Sequence, residues 1–276
     1  MPVAALTLAL SSALLHVAWN YLVKTSKDRL VTAWAVAVGA ALISVVVLAI
    51  GGLPDSAAMP NIVWSGIIHT AYWTSLARAY VRSDFSVAYP VARGAAPALV
   101  ALGGFLFLGE RIGAIAAVGV LVVSAAVLST AYVPAAMRSA GWALATGGAI
   151  AAYALVDAAG VRTADDALAY TAAVAVSSAV MLTPVVAAVR GARRLAAAAA
   201  THPVRLVGAG AMSFAAYAMV LGAALLAPIG LVAAARETSV VLGAAVGAIV
   251  LQEGWGMRRM SAATAIVVGV ILLGVA

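Results

Sequence analysis

An all-α membrane protein, ten transmembrane helices folded as two inverted five-helix repeats, is the fold class this sequence predicts, and three observations predict it. Hydrophobic residues make up 66% of the 276 and charged residues 9%, whereas a soluble domain carries about 45–50% apolar and about 25% charged residues. The apolar residues fall in runs, and about twenty of them at a rise of about 1.5 Å each span a hydrocarbon core about 30 Å thick. The third observation is internal: "VARGAAPALVALGGFLFLGE" at 91–110 is echoed by "AARETSVVLGAAVGAIVLQE" at 234–253.

Taken in order, the spans are 3–23, 31–51, 62–82, 86–108, 112–132, 140–159, 167–189, 205–226, 229–251 and 259–275. Charge, Pro and Gly punctuate them. Backbone groups in lipid must be bonded internally, so runs of this length are helices. The longest connections are "GGLPDSAAMPN" and "RGARRLAAAAATHP", which leaves nothing for a soluble domain. The opening "MPVAALTLALSSALLHVAWNYLVK" has no basic n-region and too long an apolar stretch for a signal peptide, so it reads as a retained first span.

Aligning Arg93 with Arg236 also aligns Glu110 with Glu253 without a gap, and "HVAWNYLVKTSKD" from His16 loosely matches "YALVDAAGVRTAD" from Tyr153. The chain therefore divides into 1–135 and 136–276. Five helices per unit is an odd number, so the second unit starts from the opposite face of the membrane. That is an inverted repeat, an architecture suited to alternating access. The connections after helices one, three, five, seven and nine carry Lys24, Lys27, Arg29, Arg78, Arg82, Arg138, Arg190, Arg193, Arg194, Arg205, Arg258 and Arg259, against Arg111 and Arg162 on the other side. Basic short loops stay cytoplasmic, which predicts a multi-pass protein of the cytoplasmic membrane with both termini outside.

With these elements in place, "PALVALGGFLFLGERIGAIAAVGVLVVSAAVLS" and "SVVLGAAVGAIVLQEGWGMRRMSAATAIVVGVILLG" resemble the two EamA domains of the drug/metabolite transporter superfamily. The likeness lies in a helix ending in Gly-Glu or Gln-Glu followed by a Gly-punctuated apolar helix, and it covers essentially the whole chain; "HVAWNYLVK" is family-like as well. The second copy departs from the first in carrying Ala262 where the first has Gly119. The resemblance implies a carrier of small metabolites that works without ATP, often coupled to an ion or counter-solute. It also implies cytoplasmic termini, opposite to the loop charges.

A charge at the centre of a span costs about 2.5–3.5 kcal/mol on insertion scales, so it should face the bundle interior. Arg93 and Arg236 each lie roughly 10 Å into a helix from opposite faces and can converge near mid-depth. Ser86, Tyr89, Pro90, Arg93 and Pro97 share one bend-prone stripe of the fourth helix. Two guanidinium groups favour an anionic or zwitterionic solute; alternatively, Arg93 and Arg236 pair with Asp157 and Glu237 and fix the bundle. Ser12, His16 and Asn20 repeat every four residues on helix one, and Tyr153 and Asp157 do so on helix six. The candidate substrate-binding set is Arg93, Arg236, Tyr89, Ser86, Tyr72, Trp73, Tyr217 and Asn20. Candidates for proton coupling are His16, Asp157 and Glu237, because imidazole titrates near neutrality and a carboxylate can take up a proton; interhelical hydrogen bonding is the plainer role for them. On helix three, Ser65, His69, Tyr72 and Trp73 add polar and aromatic surface. Glu110 and Glu253 are expected to cap the helix that follows each of them.

Several classes are set aside. The net charge of +7 belongs to orientation rather than to nucleic acid. Without cysteine there is no disulfide, thiolate catalysis or Cys-ligated metal. His16, His69 and His202 show neither metal nor nucleophile spacing, so neither an enzyme nor a cofactor is expected. The leading reading is a secondary transporter of a small solute in the lipid bilayer, coupled to a proton or counter-solute. The alternatives are an exporter of cationic or amphipathic drugs, and a lipid flippase or nontransporting scaffold. The pattern Gly243-Ala-Ala-Val-Gly247 permits close helix contact, within the chain or across a homodimer.

Overall fold

The structure, a computed structural model, describes the chain except residues 25, 27, 83–84, 131–140, 202 and 251–256, and gives only the backbone at 24, 77, 80–82, 85–89, 203, 205, 244, 246–250 and 259. Every regular element among the described residues is helical: α1 (Val3–Lys24), α2 (Arg29–Gly51), α3 (Met59–Arg82), α4 (Phe85–Leu108), α5 (Ala114–Ser129), α6 (Gly141–Thr163), α7 (Ala167–Arg190), α8 (Ala192–Thr201), α9 (Pro203–Leu226), α10 (Ile229–Arg236), α11 (Thr238–Val250) and α12 (Met257–Val275), with a 3₁₀ turn at Ser56–Ala58 before α3. Six stretches within these are long and apolar enough to cross a membrane: Val3–Val23, Arg29–Gly51, Pro90–Leu108, Gly141–Thr163, Ala167–Arg190 and Leu206–Leu226. The chain thus has the make-up of an all-α, multi-pass membrane protein.

Local chemistry fixes the helix ends. Asp28 accepts from the Val31 amide at the start of α2, and Asp166 from the Leu168 and Ala169 amides at the start of α7, which satisfies donors the helix itself leaves open. After α7 the chain turns through Gly191 at φ 86°, a conformation only glycine adopts cheaply. Pro90, Pro97 and Pro184 lie inside helices, where each removes an amide donor.

Two expectations need correction. The connection at 190–203 is not a loop: it contains α8, whose Leu195 is buried against Val31, Trp34, Leu182 and Val186 of α2 and α7 while Arg193 and Arg194 face out. The ninth span is not one helix but two. It breaks at Glu237, whose amide bonds the Ala234 carbonyl, while the Thr238 hydroxyl takes the Ala235 carbonyl. Such local bonds compete with the regular ladder and interrupt it.

The packing has a reciprocal pattern. α1 lies on α9 and α6 on α3; α2 lies on α7, and α5 on α12; α4 packs against α6, and α1 against α10 and α11. Small residues let these helices approach closely. A Cβ on Gly210 would sit 2.2 Å from the Gly39 carbonyl carbon, and one on Gly39 would sit 2.3 Å from the Leu206 carbonyl oxygen. The largest buried cluster draws Ala5, Val100, Val123, Ala223, Val232 and Ile266 from six helices. The Met1 amine donates to the Leu273 carbonyl at 3.0 Å, so the chain begins and ends side by side. At the other end of the bundle, Asp28 pairs with Arg190 at 3.2 Å and Arg194 at 3.1 Å.

Candidate functional site

α4, α6, α9 and α10 border a narrow, partly open cleft, with room as it stands for little more than a water molecule, between Arg93, Pro97, Tyr153, Tyr217, Arg236 and Glu237. Pro97 removes an amide donor from α4 beside this space, and the break after Arg236 ends α10 at its wall.

Arg93 is 8% exposed and fully engaged. Its Nε donates to Glu237 Oε2 at 3.3 Å, a terminal nitrogen lies 3.0 Å from Glu237 Oε1, and the same nitrogen donates to Ser239 Oγ at 3.1 Å. This forked pairing holds α4 against the α10–α11 break. Arg236 is placed differently. A terminal nitrogen makes a long contact of 3.5 Å with His16 Nδ1, and its Nε is buried without an acceptor among the described residues. Two guanidinium groups therefore face one carboxylate across the cavity. The expectation that the arginines pair with Asp157 and Glu237 holds for Arg93 with Glu237 alone.

Asp157 builds a second cluster instead. Its carboxylate is wholly buried and accepts from Ser65 Oγ at 2.9 Å, Tyr170 OH at 2.9 Å and Tyr217 OH. Behind Ser65, His69 Nδ1 lies 2.9 Å from the Ser65 carbonyl and 3.1 Å from its hydroxyl. A carbonyl only accepts, so Nδ1 carries the hydrogen. The His69 ring stacks on Tyr153 at 4.1 Å and meets Tyr217 edge-on at 5.9 Å. Tyr153 and Tyr217 thus border the cavity and the carboxylate cluster at once.

Of the residues singled out from the sequence, Arg93, Arg236, Tyr217, Asp157, Glu237 and His16 come together here. Tyr72 reaches the edge of the group, 5.9 Å from Tyr153. Trp73 does not: it packs with Val31, Trp34 and Leu182 between α2 and α7. Asn20 donates to the His16 carbonyl of its own helix at 2.9 Å and is not among the residues that line the cleft. Ser86 and Tyr89 lie in α4 where only the backbone is described, and Glu253 and His202 lie outside the described residues. Tyr170 and Ser239 were not foreseen. Both belong to helices whose apolar composition gives no sign of which hydroxyl faces inward.

Glu110 caps a helix, but not the next one. Both its oxygens accept from the Ile229 amide at 3.0 Å, at the start of α10, and it pairs with Arg162, which also donates to the Ala224 carbonyl at the end of α9. A carboxylate at a helix N-terminus is favoured by the helix dipole, and α10 supplies that position while the start of α5 does not. One ion pair thereby ties together α4, α6, α9 and α10 above the cavity they line.

No family model and no curated protein sequence matches the chain. Matches are found among solved structures. One of them, described only as "Crystal structure of protein", is similar over 98% of this chain and 98% of its own, with a TM-score of 0.72 at 17% sequence identity. A likeness at that identity establishes a shared fold.

Proposed function

We propose that the chain is a secondary transporter of the EamA type, in the drug/metabolite transporter superfamily, that carries a small anionic or zwitterionic metabolite by alternating access. Residues 1–135 and 136–276 are its two inverted repeats. The reciprocal packing supports this reading: exchanging α1 with α6, α2 with α7, α3 with α9, α4 with α10 and α11, and α5 with α12 turns the α1–α9 contact into α6–α3 and returns the α2–α7 and α5–α12 contacts to themselves. Interrupted helices beside a mid-membrane site belong to the same class of carrier.

The observation that carries the choice of substrate is Arg236 Nε, a buried donor without an acceptor among the described residues, at the wall of a cleft whose other arginine is already neutralised. A buried donor left unpaired costs about 1–3 kcal/mol, which a carboxylate or phosphate oxygen of a solute would recover. Arg236 is the solute ligand in this reading, and Arg93 is the residue that fixes the break beside it.

A screen of the purified chain in detergent against organic acids, amino acids, phosphorylated metabolites and organic cations tests this. Anionic compounds should raise the melting midpoint, since a ligand at about 100 times its Kd adds about 2.7 kcal/mol. Arg236→Gln should abolish that gain and the uptake of the same compound into liposomes, with the protein still monodisperse. Stabilisation by cations alone would overturn the anion assignment.

A further inference from the structure

We infer that Asp157, with Ser65 and His69 behind it, is a proton-binding site whose Tyr217 hydroxyl passes its hydrogen to the solute cavity when the proton binds. The inference rests on the carrier reading only for what the proton accomplishes.

The geometry of the hydrogen bonds carries the argument. Asp157 is wholly buried, and its two oxygens take three hydroxyl hydrogens, from Ser65, Tyr170 and Tyr217. An ionised carboxylate is acceptor-only, and three donors suit it. When a proton from water adds to a carboxylate oxygen, a new O–H bond forms and the group becomes a donor. One of the three hydroxyls must then turn round and accept. Ser65 is held by its second contact with His69. Tyr170 packs beside Gly160, where a Cβ would lie 2.2 Å from its hydroxyl oxygen. Tyr217 alone of the three borders the cavity. Once its oxygen accepts from Asp157, its own O–H is free to donate on the cavity side.

The surroundings favour this site over the other acids and bases nearby. Glu237 is occupied by the forked Arg93 pair, and His16 Nδ1 faces the Arg236 guanidinium. The groups facing Asp157 are His69 and Ser65 from α3, Tyr170 from α7, Tyr217 from α9 and Tyr153 from its own helix; Arg93 from α4, and Arg236 and Glu237 at the α10–α11 break, border the cavity beyond the tyrosine rings. His69 supplies a second titratable group two hydrogen bonds from the carboxylate, through the Ser65 hydroxyl.

Infrared difference spectra of the full chain in liposomes, stepped from about pH 8 to about pH 5, test the site without any solute. A protonated-carboxyl C=O stretch should appear in the wild type, persist in Glu237→Gln and be lost in Asp157→Asn. Tyr217→Phe keeps the carboxyl but removes one hydrogen-bond partner, and should move the band to higher frequency; this variant decides the matter where Asp157→Asn does not fold. A band that survives Asp157→Asn, no band in the wild type, or an unmoved band in Tyr217→Phe overturns the proposal. Loss of uptake as a general property of the chain would overturn the carrier reading and leave the band where it is.

Discussion

Arg93 and Glu237 form an ion pair inside the bundle, 8% and 4% exposed. Removing one partner of such a pair leaves an uncompensated buried charge and costs about 3–5 kcal/mol, whereas replacing both by apolar residues of similar volume is often neutral. Arg93→Met and Glu237→Met should therefore each lower the melting midpoint in detergent sharply, and the double variant should recover most of the loss. Additive losses would show that the two side chains act independently. The charges themselves were legible, because an arginine or acid inside an apolar run is conspicuous. Their partners were not. Glu237 follows Arg236 directly in sequence, yet it turns to Arg93 on another helix, and Asp157 finds hydroxyls rather than a guanidinium. Which way a side chain points across a helix interface is decided by packing between distant segments, and no local spacing encodes it.

At the scale of elements, six of the ten expected spans coincide with helices long and apolar enough to cross a membrane, because hydropathy and the need to satisfy the backbone in lipid act locally. The break of the ninth span had no such signal, since neither Pro nor Gly stands at Glu237. The amphipathic α8 was hidden in a run of alanines with too few apolar side chains to cross a membrane. Close helix contact was expected at Gly243, within the chain or across a homodimer; within the chain, a Cβ there would meet nothing within 4 Å among the described residues. The tight crossing is between α2 and α9, where a Cβ on Gly210 would lie 2.2 Å from the Gly39 carbonyl carbon and 2.3 Å from the Ala40 amide nitrogen. Backbone cannot yield as a flexible side chain can, so the helices must separate. Gly210→Ala should lower the melting midpoint, at a cost of about 1–3 kcal/mol. Gly243→Ala should leave the midpoint unchanged or raise it, since Ala favours a helix over Gly by about 1 kcal/mol. Equal effects of the two substitutions would rule out the α2–α9 crossing.

Over the whole molecule, charge separates along the bundle: Asp28, Arg190 and Arg194 gather at one end, and Glu110 with Arg162 at the end that holds Met1 and Leu273. The grouping of the arginines after the first and seventh spans was legible from the parity of the spans, whereas the clamp above the cavity was not, because Glu110, Arg162, Ala224 and Ile229 are far apart in sequence. Which end faces which side of the membrane is a separate matter, and the absence of cysteine makes it directly measurable. Single substitutions Arg193→Cys, on exposed α8, and Ala276→Cys, at the exposed chain end, introduce one thiol at each end of the bundle. With a membrane-impermeant maleimide on intact cells, the loop charges predict labelling at 276 and protection at 193 until the membrane is permeabilised. The reverse pattern would assign the basic end to the outside, as the family resemblance implies, and would mean that the field of the short loops does not orient this chain. In either orientation the two thiols must respond oppositely, because α7 and α12 end at opposite faces of the bundle when two odd-numbered units are inverted. Identical labelling of both would place the basic end and the termini on one face, and the two-repeat architecture, with the alternating-access cycle built on it, would fall.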